Sequence, residues 1–354
     1  MLTFRRALLA AFFIITIYYL THLNKSPSSL HLDVANKPSE AHVLSDSQVT
    51  SDRKMDSSQQ PLKDMSHASI RQRLAYQYPY DVEIRFPAYI WQTWKFTPAS
   101  GEFKENYRPA EASWTELHPS FIHEVITDQV AIHLIRHLYA TIPEILEAYQ
   151  ALPLAVLKAD FFRYLILFAR GGIYSDIDTY AIKSAIEWLP ESVSKKSIGL
   201  IIGIESDPYI KDTVSQSSRR LLFCQWTIQS KPGHPALLEV IAKITENVSE
   251  KIKNGSMPVF DINNAKEFTG SILWTDVMFE YFNDARYFDV GLSRENISWN
   301  NFTGMKTPKK VGDVAILPIT SFSPGINQMG SEGFDSPMAY VRHEFAGISS
   351  LSPK

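Results

Sequence analysis

The chain has 354 residues, of which 45% are hydrophobic and 21% charged, and a formal net charge of −3 at pH 7. This is an ordinary globular composition with room for one or two domains, and its charge gives no reason to expect nucleic acid, which calls for a strongly basic face. Cys224 is the lone cysteine, so no intramolecular disulfide can form; a domain of this size buries enough core without one, and the compartment stays open. Arg5 and Arg6 precede an uncharged run, Ala7 to Leu23, broken only by Thr16, Thr21 and His22. As a helix rising about 1.5 Å per residue, the run reaches roughly 26 Å, the hydrocarbon thickness of a thin bilayer. Leu20 to Lys25 offers no small-x-small cleavage site, which favours an uncleaved anchor over a signal peptide. Basic residues ahead of the run assign 1–6 to the cytoplasm, 7–23 to the membrane and the rest to the far side.

Residues 24–85 are rich in Ser, Asp, Gln, Lys and Pro with apolar residues out of period, and such a stretch reads as a disordered stem. Asn-x-Ser/Thr triplets begin at Asn24, Asn247, Asn254, Asn296 and Asn301. They agree with a lumenal domain. From residue 86 the chain becomes dense in aromatic and β-branched residues. Pro87 to Trp94 suits a first buried strand, and Ala131 to Tyr149 has helical spacing interrupted at Ile142-Pro143. Leu157, Phe161, Leu165 and Phe168 recur at helical intervals and predict one apolar face. Gly171-Gly172 ends that helix in a left-handed conformation. Ile173-Tyr174 then begins a short strand that runs into Asp176-Ile177-Asp178. Ser197 to Glu205 reads as a strand, Leu237 to Ile252 as an amphipathic helix, and Ala315 to Pro318 as a late strand. Strands alternating with helices indicate an α/β sheet.

Alternation by two along a strand puts Asp176 and Asp178 on the same side. Two carboxylates this close repel, and a divalent cation keeps both ionised. A nucleotide-sugar has the matching need, because its diphosphate leaves only when a metal ion neutralises the developing charge. Taken alone, an Asp-x-Asp also fits a solvated turn. Asp160 and Arg163, three apart on the preceding helix, either meet a ligand together or form a surface ion pair. Glu205, after the strand, and Asp276, beside Thr275, are the candidate catalytic carboxylates on the acceptor side, with a structural carboxylate as the alternative for each. Trp226, Trp274 and Trp299 are candidates for stacking on sugar faces or for the core.

The order Ala159-Asp160-Phe161-Phe162-Arg163-Tyr164, Gly171-Gly172, Asp176-Ile177-Asp178 resembles glycosyltransferase family 32. The resemblance extends to Trp91-Gln92-Thr93-Trp94, Phe223 to Ile228, Lys231-Pro232-Gly233-His234-Pro235 and His343-Glu344-Phe345-Ala346-Gly347, and within the family it is to the Golgi α-1,6-mannosyltransferase branch. It implies a GT-A fold, GDP-mannose as donor, Mn²⁺ as metal, retention of the α configuration, and a glycan acceptor on glycoprotein. It also implies a single-pass type II protein of the Golgi membrane, with subunits of a mannosyltransferase complex as partners. By the same resemblance Asp178 is the main metal ligand and Asp176 bridges metal and ribose. Asp160 and Arg163 hold nucleotide and sugar, and His343 is a third ligand or a phosphate contact. Position 91 is Trp where many members carry His, and the tail runs Ala346-Gly347-Ile348 where Gly-Ser-Trp is common. Another nucleotide-sugar donor, a sphingolipid acceptor and a non-catalytic complex subunit are the alternative readings.

Overall fold

The first buried strand, β1 (Tyr89–Thr93), lies between two parallel partners, β2 (Ile122–Ile126) and β3 (Gly172–Ser175). From β3 the sheet continues through β7 (Thr227–Ser230), β5 (Leu200–Ser206), β9 (Val314–Leu317) and β8 (Lys309–Val311). β6 (Leu222–Phe223) pairs with β5. β6, β7 and β8 run against the others, so β1, β2, β3, β5 and β9 share one direction. Their C-terminal ends therefore meet along one edge, the edge where open α/β sheets bind ligands. A separate antiparallel ribbon joins β4 (Thr179–Ala181) to β10 (Val341–His343). The computed structural model describes residues 65, 67–191, 193–208, 219–288, 296–326 and 329–345, all within the unit Gln60–Lys354. The expected anchor at 7–23 lies outside them. Among the described residues, no helix is long and apolar enough to cross a membrane.

Strand alternation divides the core between the two faces of the sheet. Leu200, Ile202 and Ile204 of β5, with Trp91 and Tyr174, face one cluster, and Ile201, Ile90 and Ile173 face the other. The first cluster takes its helical side from α5 (Ala155–Arg170), α6 (Pro235–Lys253) and α8 (Ser271–Phe282). The second holds Trp114 of α2 (Arg108–Leu117), Trp188 and Phe322. The helical reading of 131–149 resolves into α3 (Asp128–Leu138), capped by Thr127, and α4 (Pro143–Ala151), which starts on its proline.

Two expectations change. α5 is not amphipathic: every residue from Asp160 to Ala169 is buried, because the helix is wedged between the sheet and its helical neighbours. A helix apolar on one stripe sits at a surface, whereas this one is enclosed. The packed chain also begins before residue 86. α1 (Ile70–Gln77) opens on a capping box between Ser69 and Gln72 and buries Leu74. It is tied down by Arg71 to Glu239 and Glu246, and by Arg73 to Glu144, at 2.6–2.7 Å. Ion pairs to residues far along the chain hold it, so local hydrophobic period does not reveal it.

Gly171 has φ 65 and ψ −163, a reversal outside the left-handed helical region. A Cβ there would lie 2.8 Å from both Pro232 Cδ and the Ser230 carbonyl, and one at Gly172, φ 95, would lie 2.6 Å from the Tyr89 carbonyl. The pair is glycine because β3 starts in the gap between β1 and β7 with no room for side chains.

Candidate active site

Asp176 and Asp178 lie in the turn between β3 and β4, beyond the end of the strand. Strand alternation therefore does not place them; turn hydrogen bonds do. The Thr179 amide and hydroxyl both donate to the Asp176 carbonyl, at 3.1 and 2.6 Å, and Gln92 Nε2 donates to the same oxygen at 3.1 Å. The Asp176 amide donates to the Trp226 carbonyl at 2.9 Å, and the Glu344 amide to the Asp178 carbonyl at 3.0 Å. The backbone of the turn is thus anchored to β1, the residue before β7 and the residue after β10.

His343 arrives through the pairing of β10 with β4, where it stands opposite Thr179. Its Nε2 is 3.1 Å from Asp178 Oδ1. The ring packs on Trp226 and Phe345, with centroids 4.8 and 4.2 Å away. Trp226 is itself fixed by an Nε1 bond to the Phe322 carbonyl at 3.2 Å. Phe345 holds φ 52, a conformation that costs a bulky residue about 1–3 kcal/mol and persists only where its surroundings dictate it. One oxygen each from Asp176 and Asp178 and one nitrogen of His343 lie within 4.8 Å of one another. Two carboxylates and an imidazole at that spacing form a donor set for a divalent cation.

Asp160 and Arg163 stand behind this cluster, each only 3% exposed. Arg163 Nη2 donates to Asp160 Oδ1 at 2.8 Å and lies 3.4 Å from Asp176 Oδ1. Its Nη1 donates to the Gln225 carbonyl at 2.8 Å, and its plane covers the Tyr174 ring at 4.7 Å. Tyr174 donates to Asp176 Oδ1 at 2.9 Å. Asp160 also accepts from Thr269 Oγ1 at 2.9 Å and Gln225 Nε2 at 3.2 Å. Burial pushes the Asp160 carboxyl up, and Arg163 and Thr269 pull it back. Burial likewise raises Asp176, against the pull of Arg163, while the charge of Asp178 raises it further. A cation placed between the two carboxylates would relieve that repulsion.

Residues 105–195 match the family described as "glycosyltransferase sugar-binding region containing DXD motif". The initiation-specific α-1,6-mannosyltransferase of Candida albicans is 40% identical over 96% of this chain and 93% of its own. Its counterpart in Schizosaccharomyces pombe is 42% identical over 77% of this chain and 65% of its own, and that of Saccharomyces cerevisiae 31% over 79% and 81%. The chain belongs to this glycosyltransferase family. It is a glycosyltransferase whose Asp-x-Asp turn is the one described above.

The remaining candidates of this transferase fall in different places. Glu205 is the last residue but one of β5, is raised by burial, and lies 3.7 Å from Lys266 of α7 (Ile262–Phe268); His343 and Asp160 both act on its charge. Asp276 points elsewhere: both its oxygens accept from exposed Arg219, at 2.7 Å each, an ordinary surface pair worth under about 1 kcal/mol. Trp226 supports His343, whereas Trp274 is fully buried and stacks on Tyr164 at 5.4 Å. Trp299 lies under Arg220 at 4.1 Å. Trp91 donates to the Gly171 carbonyl at 2.9 Å and packs on Tyr89; its part is structural. Residues 346–348 lie outside the described residues.

Several site residues had no local signal in the sequence. His123, half-buried on β2, bonds Gln92 Oε1 through Nε2 at 2.9 Å and Thr115 Oγ1 through Nδ1 at 2.8 Å. Because Gln92 donates its amide to Asp176, its oxygen must accept, so His123 carries its proton on Nε2. Trp94 and Tyr107 pack at 4.7 Å with Ile177, between the two acidic residues. Asp178 raises the Tyr107 hydroxyl electrostatically, after burial. Of these only the Trp91-Gln92-Thr93-Trp94 motif could have pointed to the site.

Proposed function

We propose that this chain transfers mannose from GDP-mannose to a glycan acceptor, forming an α-1,6 linkage with retention, in a GT-A fold and with a divalent cation such as Mn²⁺. The observation that carries the reading is the convergence of Asp176, Asp178 and His343 within 4.8 Å at the ligand-binding edge of the sheet. The donor set fits the ion: carboxylates suit Mg²⁺, Ca²⁺ and Mn²⁺, and the imidazole shifts preference toward a transition metal. When bound, the ion supplies counter-charge for the departing diphosphate.

The protein's own groups do the rest. Arg163 stays charged in its buried seat and holds Asp176 in place, while Asp160 fixes Arg163. Trp94 and Tyr107 offer aromatic surface beside the acidic turn for the nucleotide base. Glu205 and Asp276 are both engaged by cations, at 3.7 Å and 2.7 Å, so the reading favours a front-side reaction. In it the acceptor hydroxyl gives its proton to the departing phosphate oxygen as the new glycosidic bond forms. The anchor, the stem and the Golgi lumen complete the reading, with the catalytic unit on the lumenal side and other mannosyltransferase subunits as partners.

The test is to incubate the full chain in detergent with Mn²⁺, a mannose oligosaccharide and, separately, GDP-mannose, UDP-galactose or UDP-N-acetylglucosamine. GDP-mannose alone should be consumed, and chelation should stop it. Consumption of a UDP-sugar instead would overturn the donor assignment, and full activity in chelator would overturn the metal.

A further inference from the structure

A cavity of about 260 Å³ opens where β5 and β9 end. Ile204 and Ile319, 1% and 4% exposed, form its floor, and Met305 and Met329 add apolar wall. Two charged side chains line it. Asp207 is 3% exposed and accepts from Thr303 Oγ1 and the Gly304 amide, both at 2.7 Å. These donors take two of the roughly four lone-pair positions of a carboxylate. Lys306 donates one of its protons to the Gly330 carbonyl at 2.7 Å, lies 3.9 Å from Glu332 Oε1, and is otherwise exposed to solvent.

The position is suggestive for three reasons. β3 and β5 run the same way with only β7 between them. Across two spacings of about 4.8 Å, and with β5 running on past the level of Ser175, the end of β5 is roughly 14 Å from the end of β3, where the acidic turn begins. Asp207 follows Glu205, whose charge His343 feels. And α9 (Ile319–Phe322) touches both places: Ile319 lines the cavity, and the Phe322 carbonyl fixes Trp226 beneath His343.

The chemistry narrows the occupant. About 260 Å³ is below the range of roughly 300–1,000 Å³ for drug-sized ligands, and suits a single ring. A carboxylate and an ammonium over apolar wall match a neutral polyol: hydroxyls donate to Asp207 and accept from Lys306, while ring C–H groups rest on Met305, Met329 and Ile319. A phosphorylated headgroup would meet the buried negative charge of Asp207. We infer that this cavity is an acceptor subsite holding one neutral hexose of the acceptor glycan, with Asp207 and Lys306 setting specificity. The inference rests on the transferase reading above.

The test uses the full chain with GDP-mannose and a short mannose oligosaccharide, comparing wild type with Lys306→Ala and Asp207→Asn. Losing one such hydrogen bond should raise the acceptor KM by about fivefold or more, shift donor consumption from transfer toward hydrolysis, and leave the donor KM within about twofold. Lys306 is exposed, so its variant folds even where the other does not. Acceptor KM values within about twofold of wild type in both variants would overturn the subsite. If the wild type consumes no sugar nucleotide, the transferase reading fails, and the cavity is judged by saturation-transfer NMR with methyl α-mannoside. Transfer that is lost in Asp207→Asn supports it. Absence of transfer from the wild type, or tighter binding of inositol phosphate than of the mannoside, overturns it.

Discussion

His343 Nε2 lies 3.1 Å from Asp178 Oδ1 although 165 positions separate the two residues. The β4–β10 ribbon closes that gap, and Trp226 and Phe345 hold the imidazole from behind. If the pair binds a cation, Asp178→Ala should lower transfer by about 100-fold or more, and Asp178→Asn nearly as much, since an amide keeps the shape and loses the charge. Thermal unfolding of the metal-free variants should be unchanged or shifted upward, because one of two repelling carboxylates is gone. His343→Gln should weaken Mn²⁺ binding by about tenfold or more, read by calorimetry. A joint fall of activity and melting temperature, insensitive to metal, would mark the turn as structural.

Arg163 and Asp160 are a buried pair, 3% exposed each. Arg163→Met leaves Asp160 without its cation and should cost about 3–5 kcal/mol in chemical denaturation. Adding Asp160→Asn should recover part of that loss, as no buried charge is then stranded. Recovery of stability without recovery of transfer would separate packing from the positioning of Asp176.

His123 gives the fold a pH dependence. Burial, helped by His118, lowers its pKa from 6.5 to about 4. The unfolded chain therefore takes up the proton first, and stability present above pH 6.5 is lost as the pH falls toward 4, by at most about 3 kcal/mol. Glu111, 3.7 Å away and raised by burial, titrates in the opposite sense. His123→Gln keeps both hydrogen bonds and should flatten the wild-type slope over that window; an unchanged slope would assign it to other groups.

Gly172→Ala should unfold the protein or cost at least about 2–3 kcal/mol, since its φ is 95 and a Cβ would meet the Tyr89 carbonyl at 2.6 Å. Gly255→Ala, also at positive φ but with nothing within 4 Å, carries only the backbone strain. Denaturation midpoints for the two should differ clearly.

The lumenal orientation predicts glycans. Asn254 and Asn296 are exposed outside strands and helices, whereas Asn247 lies inside α6 and the Asn301 side chain closes a capping box with Ser298. In a secretory host, endoglycosidase should change mobility through the first two sites, and Asn254→Gln with Asn296→Gln, made in a chain that also carries Asn24→Gln, should abolish the change. No change in the wild type would count against the orientation.

The sequence by itself determined the parts whose causes are local. The helix ending at Arg170, the glycine pair and the acidic turn are consecutive, so their spacing records their geometry. The α/β alternation is legible for the same reason, as are the strand at Ile90 and the helix after Pro235. What the tertiary structure decided is everything that depends on partners far along the chain. α5 reads as amphipathic but is enclosed, because residues from 200 onward cover its second side. α1 has a single buried anchor, Leu74, and is held by Glu144, Glu239 and Glu246. Asp276 and Glu205 look alike as candidates until the fold leaves Asp276 beside exposed Arg219 and buries Glu205 within reach of the charges of His343 and Asp160. Gln92 reaches Asp176, and His123 reaches Gln92, only because β1 and β2 lie in register beside β3. Hydrogen bonds and charge pairs act over a few ångströms, and only the folded sheet brings those residues within that range.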